Sequence, residues 1–251
     1  MDRLNAFGRS NTDYIATYNP ETSVITRFTL ANFPDARGPL SLHGMDVVPS
    51  ASVPGELFVY LVNHRVPLGD ADPRVVGADS SIEVFKTKVG GTVLTHLRTY
   101  EDPAVIIAPN DIAGASDGRS FYFTNDHGVR TGLVSHLFVF RTSLPFTPLR
   151  TLHIQIRMLD FLGRASSSVG FCHVDGGCKC ATANMHGNNG IVRARNDTFY
   201  VADALGGPIR VLERQDDDTL VVTDLIPVGA HHSAYELPVY DVHDSHRSLG
   251  R

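Results

Sequence analysis

The sequence predicts an all-β protein, a β-propeller of four-stranded blades of which about three and a half are present. The first observation is a four-part pattern of short apolar runs that occurs three times at intervals of roughly 40 to 60 residues, each time opening on a polar residue. The second is composition: 22 glycines and 14 prolines punctuate runs rich in Val, Ile, Phe and Tyr, the usage of a strand-and-turn chain. The third is that no stretch of about 11 residues or more carries helical periodicity.

Taken in order, residues 13–20 and 23–30 read as strands three and four of an incomplete first blade, joined by a Pro-Glu-Thr turn. The first full blade is predicted at 43–49, 56–64, 81–86 and 93–100. The second is predicted at 109–114, 120–127, 136–141 and 148–153. The third is predicted at 188–193, 198–203, 208–213 and 220–226. Residues 160–187, rich in Gly and Ser, read as a long insertion, either a lid over the channel or an unstructured loop. Residues 1–228 thus form the partial propeller. Residues 229–251, with four of the twelve histidines and no apolar period, read as an irregular or disordered tail. A ring left unclosed exposes sheet faces that favour self-association.

The net charge of −5 and the absence of a basic block exclude a nucleic-acid partner. No run approaches the roughly 18 apolar residues of a membrane-spanning helix. The first residues lack the apolar core of a signal peptide, so the chain as written is expected in the cytoplasm, while a longer form would be secreted or membrane-anchored. Cys172, Cys178 and Cys180 are spaced C-x5-C-x-C. An odd number within one segment is a poor disulfide framework, so they read as free thiols.

In a propeller the innermost strand of each blade lines the channel, so the residues opening those strands converge on one axis. Here they are His43, Asn110 with Asp111, and Asn189. Amide and carboxylate oxygens are hard ligands and suit calcium better than zinc or copper. The competing reading for both asparagines is turn chemistry, since asparagine tolerates left-handed backbone. No G-x-S-x-G elbow is present, which argues against a serine esterase.

Six short segments, read together, are quite specific. Leu61-Val-Asn-His64, Ser81-Ile-Glu-Val-Phe-Lys86, Thr95-His96-Leu-Arg-Thr99, Pro109-Asn-Asp-Ile112, Phe121-Tyr-Phe-Thr-Asn-Asp-His127 and Asn189-Gly190 give the chain, over roughly residues 14–227, a pattern that resembles the serum paraoxonase/arylesterase family. Ser168–Asp175 and Asn184–Gly190 look most like its fungal branch. The resemblance implies a six-bladed propeller with two calcium ions and hydrolysis of small-molecule lactones, aryl esters and, in some members, phosphotriesters. It implies that His64 is the catalytic histidine and His96 its assistant. It further implies that Asn110 and Asn189 bind the catalytic calcium and Asp111 the structural one, with Asn125–His127 behind the site. Two family features have no counterpart: a Glu-Asp pair upstream of Asp13 and an Asp-Asn pair after Pro227. The alternatives are a catalytically inactive propeller acting as an interaction module, or a calcium lactonase of the gluconolactonase or strictosidine-synthase-like propellers. For His64 the bland reading is a strand-end histidine satisfying a turn; for His96 it is a hydrogen-bonded core histidine.

Overall fold

The computed structural model describes residues 13–35, 38–67, 76–128, 165–205 and 207–228, and every element among them is a β-strand. Strands β1 (Ala16–Asn19) and β2 (Val24–Arg27) form an antiparallel pair, the half blade that the sequence predicts. The chain then breaks at Phe28, and β3 (Thr29–Ala31) leaves that pair to run parallel to the outer strand of the next sheet.

Blade one comprises β4 (Leu42–Pro49), β5 (Glu56–Arg65), β6 (Asp79–Lys88) and β7 (Val93–Tyr100), paired in sequence order with β3 added at its outer edge. Blade two contains β8 (Pro109–Gly114), β9 (Ser120–Asn125), β10 (Ser167–His173) and β11 (Gly177–Met185), again in sequence order. Blade three contains β12 (Asn188–Arg193), β13 (Thr198–Asp203), β14 (Ile209–Arg214) and β15 (Leu220–Ile226). Blades one and three lie where the repeat predicts them.

Blade two corrects the sequence reading. The third and fourth places in its sheet belong to β10 and β11, within the segment read as a lid or loop, while the runs at 136–141 and 148–153 lie outside the described residues. The misreading has a physical cause. Ser167-Ser-Val-Gly-Phe-Cys-His173 and Gly177–Met185 are poor in β-branched residues; the first is buried along most of its length, and the second buries only Ala181 and Met185. Residues 229–251, read as a tail, also lie outside the described residues.

The blades are joined by strict two-residue alternation. On β9, Phe121 and Phe123 join Phe58, Tyr60 and Val62 of blade one, whereas Tyr122 between them joins Phe171, Phe199 and Val201 toward blade three. Both faces of β9 are therefore apolar, which is why Phe121–Phe123 reads as a continuous hydrophobic run. Burial of each large side chain contributes roughly 1.5–3 kcal/mol. The other face of blade one carries Val59, Leu61, Phe85 and Leu94, covered by Ile15, Phe28, Leu30 and Phe33 from the N-terminal segment.

The cysteines overturn the free-thiol expectation. Cys172 and Cys178 face each other across the β10–β11 pair and form a disulfide, leaving Cys180 as the exposed free thiol. Spacing alone hid this, because the hairpin that brings the first two together was not foreseen.

Candidate functional site

The inner strands β4, β8 and β12 lie side by side. Asp46 on β4 accepts the Gly114 amide of β8 at 2.8 Å, and Asp111 on β8 accepts the Ile191 amide of β12 at 3.0 Å. Each inner strand carries one extra residue in its first turn. Leu42 and Met45 pair with Asn63 and Leu61; Pro109 and Ile112 pair with Asn125 and Phe123; Asn188 and Ile191 pair with Asp203 and Val201. Three residues against two is a β-bulge, a device that re-aims side chains at the rim of a sheet. The bulged positions are His43–Gly44, Asn110–Asp111 and Asn189–Gly190. Every residue singled out at the opening of an inner strand therefore lies in the same repeated distortion at the same end of the blades.

His43 is exposed, and its Nδ1 lies 3.2 Å from Nε2 of His64, which is almost fully buried on β5. The other nitrogen of His64, Nδ1, lies 2.9 Å from Ser80 Oγ, and the His64 amide donates to Ser41 carbonyl oxygen at 2.8 Å. A histidine held at both ring nitrogens has a fixed ring orientation. Gly44 gives the bulge its room: a Cβ there would fall 2.2 Å from the Asn110 carbonyl oxygen and 2.8 Å from Asp111 Oδ1.

The structure does not bring His96 to this pair. His64 pairs in register with Ser80 and His96 with Phe85, five positions along β6, or about 16 Å at strand rise. His96 also turns to the opposite face, packing its ring against Phe33 and Phe85 at centroid distances of 5.2 and 5.0 Å. There its Nε2 lies 3.1 Å from Glu83 Oε2. Glu83, fully buried, also accepts from Thr99 at 2.5 Å, Ser81 at 2.8 Å and Asn63 at 3.3 Å. Burial alone would raise its carboxyl pKa, but the hydrogen bonds from His96, Thr99, Ser81 and Asn63 outweigh that and hold it below the usual value.

Asn110, Asp111 and Asn189 are brought to one end of neighbouring strands. No hydrogen bond engages the side-chain amides of Asn110 or Asn189 among the described residues, so their carbonyl oxygens remain for a ligand. Burial pushes the Asp111 carboxyl up to about 6, against the lowering effect of its bonds from the Ile191 and Ile112 amides. A desolvated carboxylate beside unengaged amides fits a hard cation in donor chemistry. It is one carboxylate, and no group of three His, Cys, Asp or Glu suited to a metal occurs among the described residues. Asn125–His127 stands beside the mouth, with Asn125 accepting the Ile107 and Ala108 amides and His127 Nε2 3.8 Å from Asp126.

The sequence reading placed His43 among the channel-lining residues without giving it a chemical role, and it left Ser80 and Glu83 unremarked. The available signal was positional: His43 occupies in blade one the place of Asn110 and Asn189 in blades two and three. A polar cleft at the far end of blades two and three holds none of these residues, and its Arg193 and Arg214 are paired with Asp197 and Asp218.

No family model and no curated protein matches the chain. Among solved structures, a proposed 6-phosphogluconolactonase from Bacteroides uniformis matches at 14% identity and a TM-score of 0.44, over 92% of this chain and 54% of that one. A luciferin-regenerating enzyme matches at 12% identity and 0.41, over 84% and 52%. The Malassezia sympodialis allergen Mala s 1 matches at 10% and 0.45, over 84% and 56%. The chain spans about half the length of these structures. No helix among the described residues is long and apolar enough to cross a membrane.

Proposed function

We propose that this chain carries the reaction centre of a calcium-dependent hydrolase of small-molecule esters and lactones. The supporting observation is the His43–His64 contact of 3.2 Å at a bulge repeated at Asn110–Asp111 and Asn189–Gly190. In the tautomer in which His64 donates Nδ1–H to Ser80 and accepts the Nδ1–H of His43, the lone pair of His43 lies on Nε2. His43 is then the general base that takes a proton from water, and buried His64 fixes its ring and shares the charge it gains. This moves the base from His64 to His43 and assigns His96 to the sheet interior. Asn110, Asp111 and Asn189 would hold calcium, completing its usual six to eight oxygens with water or further chain. Bound calcium supplies Lewis-acid polarisation of the carbonyl oxygen.

The test is calorimetric titration of the chelator-treated chain with calcium beside a phenyl acetate and γ-lactone assay. Micromolar or tighter binding with chelator-sensitive turnover, lost in His43→Gln, is the expected result. The single carboxylate favours a second reading, an inactive interaction module, and the absence of both calcium binding and turnover would overturn the first reading in its favour.

A further inference from the structure

Blade three contains a second built histidine at the same end of the sheets. In all three blades the residue opposite the first position of the bulge is a buried side-chain oxygen: Asn63, Asn125 and Asp203. In blades one and two its task is to hold backbone. Asn63 accepts the Ser41 amide at 3.0 Å, and Asn125 accepts those of Ile107 and Ala108 at 3.0 and 2.9 Å. A neutral amide suffices for that work.

Blade three uses a carboxylate instead. Asp203 accepts the Leu205 amide at 2.9 Å through Oδ1, and through Oδ2 it takes His186 Nδ1 and Arg210 Nη2, each at 3.1 Å. Its side chain is 1% exposed, and a carboxylate so buried is costly unless paired. Arg210 provides the pairing and also donates to the His186 carbonyl oxygen at 3.0 Å, clamping both ends of the contact. Gly187 and Gly207 close on the carboxylate so tightly that a Cβ would come within 2.5 and 2.2 Å of it. The charge, the arginine and the two glycines fix one imidazole. His186 Nε2 makes no hydrogen bond among the described residues, and the side chain is 28% exposed. A carboxylate on Nδ1 selects the tautomer whose Nε2 carries the lone pair.

The structure assigns His186, oriented by Asp203 and Arg210, as a second proton-transferring histidine of the mouth, acting on esters and lactones with an alcohol leaving group. This rests on the hydrolase reading above. Once the water activated by His43 has bonded to the acyl carbon, Nε2 takes the proton of the hydroxyl so formed, so that an O–H bond breaks and an N–H bond forms as the acyl C–O bond to the alcohol breaks. The imidazolium, held by Asp203, returns that proton to the departing alkoxide oxygen.

The test uses Asp203→Asn and His186→Gln in the full chain. It combines steady-state kinetics, thermal unfolding and the rate at which diethyl pyrocarbonate modifies His186 at mildly alkaline pH, mapped by mass spectrometry. Asp203→Asn should fold, because asparagine serves the same place in blades one and two, and kcat should fall about 10- to 100-fold while KM holds. Modification of His186 should slow, as the lone pair is no longer confined to Nε2. His186→Gln should lower kcat by about 100-fold or more. An Asp203→Asn chain that melts earlier but keeps its kcat and its modification rate would show a strut and overturn the assignment. Should the native chain show no turnover, the hydrolase reading falls by itself. The modification rate then decides the role of Asp203: slowing sustains an oriented Nε2, and an equal rate overturns it.

Discussion

Besides exposed His43 on its inner strand, blade one carries one histidine on each face, and these two live in opposite chemical settings. His64 looks toward the mouth, between the ring of exposed His43 and the hydroxyl of Ser80. His96 looks into the N-terminal strands, between two phenylalanine rings and a carboxylate with no solvent exposure. A short motif around a histidine does not distinguish these settings, because both lie in apolar strands. The bulge does, since only the mouth end of the inner strand re-aims a side chain toward the channel. The lesson is that in a repeated fold the position within the repeat is better evidence for a role than the sequence immediately around the residue.

Replacing His64 and His96 by glutamine, one at a time, separates the two settings most strongly. On the proposed function His64→Gln should lower kcat by about 10- to 100-fold, the range for losing the group that orients a reacting side chain, and should also lower the melting temperature, because His64 is buried. His96→Gln should leave kcat in place and cost about 1–3 kcal/mol of stability, because a buried partner of Glu83 is lost. Kinetics and chemical denaturation of both variants decide the matter, and equal kinetic losses would return His96 to the reaction.

Glu83 extends the contrast to pH. Its carboxylate is depressed in the folded chain, so its contribution to stability is fully present above the unfolded value of 4.5 and is lost as pH falls through the lower folded value. Glu83→Gln should therefore flatten the acid limb of the stability curve below about pH 4.5. Glu83→Ala should cost about 3 kcal/mol or more at neutral pH, since His96, Thr99, Ser81 and Asn63 all lose an acceptor. An unchanged acid limb in Glu83→Gln would mean that another carboxylate governs acid unfolding.

Blades one and three were legible because β5, β6, β13 and β15 are rich in β-branched and aromatic residues and are separated by clear turns. The outer half of blade two was not. Its strands hold Ser, Gly, Ala, Cys and Lys, and they pair because β9 presents Phe121 to Phe123 on both faces rather than because their own propensity demands it. The calcium candidates were legible as residue types at repeated positions. The His43–His64 contact was not, because it depends on one extra residue in β4, which no periodicity reports. Asp203 was hidden for a related reason: its difference from Asn63 and Asn125 has meaning only once the three registers are superposed.

The disulfide gives the last and smallest test of the two faces. Cys172 belongs to the apolar seam with Phe58, Tyr60 and Val62, on the His64 side of blade one, while the cluster on the His96 side contains no cysteine. Under non-reducing denaturation one thiol per chain, Cys180, should react with a maleimide, and all three should react after reduction. Replacing Cys172 and Cys178 by serine should cost about 2 kcal/mol, the loop-closure value for a short link. Hydrogen exchange should then quicken along the β5 and β9 positions of that seam, while the amides near Phe85 and Leu94 keep their protection. Such a bond persists in oxidising surroundings and is lost in a reducing cytosol, so chain made in the two settings should differ in the same direction. Three reactive thiols under non-reducing denaturation would restore the free-thiol reading and remove any redox difference between the two faces.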